Sequence, residues 1–127
     1  MVVKFKDQFG VDTECFFKLQ KYASGDREAI QMYELFRDDG GEWVEPYAMI
    51  TKNLPYDLPE PKIHGFYCFI DINNCPWVER VLLDNGIGIP TGQFRTSGFC
   101  QYPIWFIFKS VLKRYRYEQC QKFTFYF

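Results

Sequence analysis

The sequence predicts an α+β domain: a mostly antiparallel, strongly bent β-sheet of five to seven strands, with one main helix, about residues 75–85, packed on it. Three observations lead there. Aromatic residues make up 20% of the 127 residues, and flat rings pack well on a pleated surface. Glycine-containing turn clusters recur between short alternating segments, which is the spacing of hairpins. Only one stretch, from Asn73 to Gly86, carries the start, the apolar stripe and the stop of a helix. A chain of this length is expected to form one domain, residues 1–127, and to bury roughly two thirds of its unfolded surface, enough for one core without staples.

Residues 2–6 alternate apolar and basic side chains, Asp7-Gln8-Phe9-Gly10 turns, and residues 11–19 return. Gly10 can take the positive φ such a tip needs. Tyr22-Ala23-Ser24-Gly25-Asp26 is a second turn cluster. Residues 27–37 have two readings. Asp26 caps a short helix of good helix formers, or the run is the first arm of a long hairpin that turns at Asp38-Asp39-Gly40-Gly41 and returns over residues 43–54. The hairpin is the more economical, and Pro46 then marks an edge or a bulge. The prolines of residues 55–65 make a stiff surface loop, and residues 65–71 a short, apolar, central strand.

In the helix, Asn73 or Asn74 is the cap and Pro76 sits in the first turn, where its missing N–H costs nothing. Val78, Val81, Leu82 and Asn85 share one face, Trp77 flanks it, and Gly86 supplies the left-handed stop. After a loop with Gly88, Pro90 and Gly92, a strand starts at Gln93 or Phe94. Residues 99–108 read as an aromatic strand with a bulge or break at Pro103. Residues 109–121 continue as strand or switch to helix. Phe123, Thr124, Phe125, Tyr126 and Phe127 alternate as a last strand, which needs a docking edge; the sheet itself or a second protomer would supply it, the latter making a homo-oligomer.

Composition narrows the function classes. A net charge of −1 gives no bulk attraction to nucleic acid or membrane and none of the field a DNA mimic needs. The charge is uneven, however: residues 26–60 are acidic and residues 109–122 basic, a hint of a polar contact face. No apolar run approaches the ~18 residues of a bilayer span, and the first residues do not resemble a secretory signal. Five cysteines without motif spacing fit a reducing compartment. The expected location is the cytoplasm, away from membranes.

The strings YAMITKNLP, FIDINNCPWVERVLLDNGIGIPTG and SGFCQYP resemble a family of small uncharacterised proteins, filed as a domain of unknown function and encoded on conjugative elements of gut bacteria. The resemblance covers residues 47–103, with a further similarity in the opening hairpin; DINNCPW and SGFCQYP are its most specific pieces. It implies a small α+β domain, a mobile-element setting and no assigned catalytic residues.

The residues themselves offer six constellations. His64, Cys68, Cys75 and Cys100 are zinc-ligand types, but their spacing lacks paired knuckles, and buried cysteines on strands are the plainer account. Cys75 at a helix start would have a lowered thiol pKa, with His64 as the only histidine to serve as base. Asp71, Asn73 and Asn74 suit a turn better than a calcium loop, and the glycines of residues 86–92 follow a helix rather than precede one, the reverse of a phosphate cradle. Lys109, Lys113, Arg114, Arg116 and Lys122 of the segment 109–122, interleaved with Tyr115 and Tyr117, could grip phosphates and stack on bases; a solvated edge is the alternative. Trp105 and Phe108 belong either to a sandwiched strand or to a protein interface. The expectation is a non-enzymatic interaction protein without cofactor or metal, with Trp105, Phe108, Lys109, Lys113, Arg114, Tyr115, Arg116 and Tyr117 as candidate partner contacts. A protein is the first expected partner and a nucleic acid the second.

Overall fold

The first two turns close where glycine permits, at Gly10 (φ 78°) and Gly25 (φ 77°). They join the first three strands of an antiparallel meander in the computed structural model, which describes residues 1–117: β1 (Val3–Lys6), β2 (Asp12–Lys21), β3 (Glu28–Asp38) and β4 (Gly41–Met49), in the order β1-β2-β3-β4. Residues 27–37 thus take the hairpin option. Period-two alternation decides it, setting Ile30 and Met32 on the buried face with Phe17 and Leu19 of β2. Pro46 lies on the edge strand β4, beside a register shift opposite Met32 and Tyr33.

The chain then changes sheets at a single residue. Ile50 donates its N–H to the Ile30 carbonyl (3.1 Å) and accepts from the Asp71 N–H (2.8 Å). Beyond it, β5 (Thr51–Lys52), β6 (Gly65–Ile70), β7 (Gly88–Ser97) and β8 (Cys100–Phe108) form a second antiparallel sheet in the order β5-β6-β8-β7. Two helices of seven and six residues, α1 (Val78–Asp84) and α2 (Lys109–Arg114), complete the described residues.

The expected single bent sheet with one main helix is therefore wrong. Among the described residues there are two four-stranded sheets and only short helices, with strands making up 53% and helices 11% of them. The run expected as one strand over 43–54 serves both sheets, and an isoleucine gives no sequence signal of such a handover. The helix is shorter than residues 75–85 because Asp71, not Asn73 or Asn74, organises its approach. Asp71 Oδ1 accepts the Asn74 N–H (3.2 Å), its Oδ2 accepts Asn74 Nδ2 (2.8 Å), and its carbonyl accepts the Cys75 N–H (3.1 Å). Gly86 (φ 64°) does end it. Ile87 N–H reaches the Leu82 carbonyl and Gly86 N–H the Leu83 carbonyl, a Schellman closure whose apolar contact is Ile87 on Leu82.

One core lies between the sheets: Val3, Phe17, Ile30 and Met32 from the first, Phe66, Cys68, Ile70, Trp105 and Ile107 from the second, with Val78, Val81 and Leu82 of α1 and Leu112 of α2. A smaller cluster, Leu54, Phe69, Tyr102 and Ile104, sits on the opposite face of the second sheet beside Leu58 of the proline-rich loop. Arg27 ties that loop down by donating to the Leu54 and Tyr56 carbonyls. So β6 and β8 are covered on both faces, which is why their sequences are apolar at successive positions. Lys122 and the aromatic segment 123–127 lie outside the described residues.

Candidate interaction surface

The second sheet has an overhang. β8 pairs with β6 only from Ile104 to Phe108, whereas it pairs with β7 back to Cys100. Beyond β6, residues 94–103 form a two-stranded arm, a structure that is marginal alone. Gly98 (φ 61°) takes the first central position of its two-residue turn and Phe99 the second, the II′ arrangement that matches strand twist. Phe99 is fully exposed at that tip, and Phe94, opposite Pro103, is 50% exposed.

Side chains from elsewhere brace the arm. Asn73 Nδ2 donates to the Gln101 carbonyl (3.1 Å). The Tyr56 hydroxyl donates to the Thr96 carbonyl (2.9 Å), and its ring meets Phe69 edge-on. Tyr102 roots the arm in the smaller apolar cluster. The arm therefore holds two large aromatic side chains in water at fixed positions. Neither was among the sequence candidates. The signal was present in the Ser97-Gly98-Phe99-Cys100 order, where a two-residue turn leaves its second residue pointing at solvent.

The eight candidates from the sequence fall into three settings. Trp105 is wholly buried, its indole N–H donating to Glu79 Oε2 (2.9 Å), so it offers no surface. Phe108, Tyr115 and Tyr117 are half-buried against other rings: Phe108 edge-on to Phe106, Tyr115 edge-on to Phe17 with its carbonyl accepting the Phe17 N–H (2.7 Å), and Tyr117 stacked on Phe16. The cations face out. Lys109 lies 3.9 Å from Glu28, while Ser110, Lys113, Arg114 and Arg116 line a cleft of 350 Å³.

The metal and thiol candidates are not brought together. Cys68 faces the core and Cys100 the cluster on the other side of the sheet, while the His64 ring meets Phe106 edge-on. Among the described residues no three metal-ligating side chains converge. Burial, with the Asp71 carboxylate adding to it, pushes the Cys75 thiol up to about 11, the opposite of an activated nucleophile.

Two of the motif strings meet instead at the seam between the sheets. There Tyr47, Thr51, Lys52, Asp71, Asn74 and Cys75 line an open cleft of 480 Å³. The Tyr22 hydroxyl is 2.7 Å from Thr51 Oγ1, which accepts the Ile30 N–H (3.2 Å), and Lys52 Nζ stands 4.0 Å from Asp71. These polar groups satisfy one another and fasten the seam. Among the described residues no helix is long and apolar enough to cross a membrane. No curated protein and no solved structure matches the chain. A family model described as a domain of unknown function, DUF4313, matches residues 16–126, and the chain belongs to that family.

Proposed function

We propose that the protein is a non-enzymatic interaction protein that engages a protein partner through the tip of the β7–β8 arm. The observation that carries this is Phe99, fully exposed on a turn that a glycine and three bracing contacts hold in place. Seating an exposed phenylalanine in a partner's pocket is worth about 1.5–3 kcal/mol, the size of an interface anchor. The motif resemblance supplies the setting: a cytoplasmic accessory protein of a mobile genetic element, with modulation of host defence as one concrete version.

A second reading rests on α2. Among the described residues Lys113 and Arg114 have no ion pair, as is also true of Lys18, Arg27, Lys62 and Arg95, but Lys113 and Arg114 line one cleft together with Arg116. Such a surface suits the phosphates of a nucleic acid. Base stacking is not available to it, because the Tyr115 and Tyr117 rings are committed to Phe17 and Phe16.

Affinity capture from native lysate, with and without nuclease, separates the two. A protein retained after nuclease by the wild type and lost with F94S/F99S supports the arm. Capture that survives F94S/F99S but vanishes with nuclease and with K113E/R114E supports nucleic acid and overturns the first reading.

A further inference from the structure

In the first sheet β2 and β3 stop pairing at Cys15 and Glu34, short of the ends of both strands. Beyond that point the β1–β2 and β3–β4 hairpins run on separately, and their strands line an open cleft of 850 Å³. Alternation sets Phe5, Thr13, Glu34, Phe36, Trp43 and Glu45 on the face that continues the core of Val3, Ile30 and Met32. Cover from the second sheet ends here. The Phe36 and Trp43 rings stack on each other (5.4 Å), Trp43 is 44% exposed, and Phe9 and Val11 of the neighbouring turn are more exposed still.

Charge separates the two faces of this end. Residues 4–14 and 34–45 hold eight Asp/Glu against three Lys/Arg, in a chain whose net charge is −1. All three cations are taken up on the outer face: Lys4 by Glu14, Lys6 by Asp12, and Arg37 by Glu14 and Glu42. Among the described residues Glu34, Glu45 and Asp7 have no ion pair. We propose that this overhanging face is a docking site for a partner protein, through a segment in which lysine or arginine alternates with apolar side chains. The rings supply the apolar contact, and Trp43 offers the face that attracts a cation best. Glu34 and Glu45 are direct cross-strand partners, so a cation set between them relieves a repulsion the free protein carries. A nucleic acid or an acidic segment would meet the same carboxylates unfavourably.

The test is calorimetric titration of the full-length protein with a synthetic peptide of alternating lysine and leucine, and with spermidine as a cation that lacks apolar side chains. The peptide is expected to bind saturably. E34Q/E45Q should weaken it about tenfold, and W43S by a similar factor. D57N/E60Q, which removes the same charge from the proline-rich loop, should change it by no more than about twofold. Absence of saturable peptide binding overturns the proposal. So does an equal loss in D57N/E60Q, or spermidine binding as tight as the peptide's, since either assigns the effect to bare charge. If W43S loses its far-UV circular dichroism, E34Q/E45Q carries the test, because it removes a repulsion from the free protein. F94S/F99S is expected to leave peptide binding unchanged, so this face and the β7–β8 arm stand or fall separately.

Discussion

Gly65 and Gly88 are glycine for want of space, not for a turn. A Cβ on Gly65 would stand 2.2 Å from the Ile107 carbonyl oxygen and 2.5 Å from the Phe106 ring, and one on Gly88 2.6 Å from the Phe106 carbonyl. The nearest atoms in the way are backbone carbonyl oxygens of β8, fixed between β6 and β7, so they cannot yield without opening the ladder. Gly98 is the opposite case, with a φ of 61° and nothing within 4 Å of an added Cβ. Gly65→Ala is therefore expected to cost about 3 kcal/mol by overpacking, and Gly98→Ala only ~1–2 kcal/mol of backbone strain. Urea titration of the two variants checks the order. Equal midpoints would mean that β6 and β8 can part locally, and that the close approach does not hold the sheet.

At the scale of elements, the β3–β4 hairpin carries a built-in electrostatic cost. Glu34 and Glu45 are direct cross-strand partners. Burial raises the Glu34 pKa, and the Glu45 and Asp7 carboxylates raise it further. A carboxyl whose folded pKa lies above its unfolded value holds more protons folded than unfolded between the two. Stability therefore falls as pH rises through that window, and the penalty is complete at neutral pH. Glu34→Gln should stabilise by about 0.5 kcal/mol at pH 7 in low salt, shrink with added salt, and gain nothing below ~pH 4. Thermal melts at both pH values check it; an equal gain at acid pH would assign the effect to packing.

What could be read in the sequence at this scale was whatever a residue type enforces. Gly10 and Gly25 announced their turns, Gly86 the end of α1, and Pro46 the edge strand. The handover at Ile50 was not legible, because it depends on which strands flank the backbone and not on the side chain. Nor was the α2 switch: Lys109–Arg114 is helical because Leu112 fills the core and Tyr115 reaches β2, contacts set by distant residues. The arm was hidden for a related reason. Its exposure follows from where β6 ends, and nothing within residues 94–103 records that.

Over the whole molecule, the two sheets are joined by backbone as well as by the apolar core. Ile50 bonds to β3 on one side and to Asp71 on the other, and Phe17 of β2 bonds to Tyr115 beyond α2. A sandwich held only by apolar faces could lose one sheet while keeping the other; here each sheet's departure breaks bonds of both. The amides of Ile50, Asp71 and Phe17 are thus expected to exchange hydrogen only by global opening, within ~1 kcal/mol of the central amides of β3 and β6. The amides of Arg95 and Tyr102, bonded to each other across the arm, should exchange through a far cheaper local opening, because the arm is two strands braced by single side chains. Native-state exchange read residue by residue distinguishes the cases. Were Ile50 and Asp71 to exchange well ahead of the strand centres, the seam would be a hinge between separately stable sheets. Were the arm as protected as the core, its tip would be too rigid to seat Phe99 in a partner by adjustment, and binding would require a pocket already matched to it.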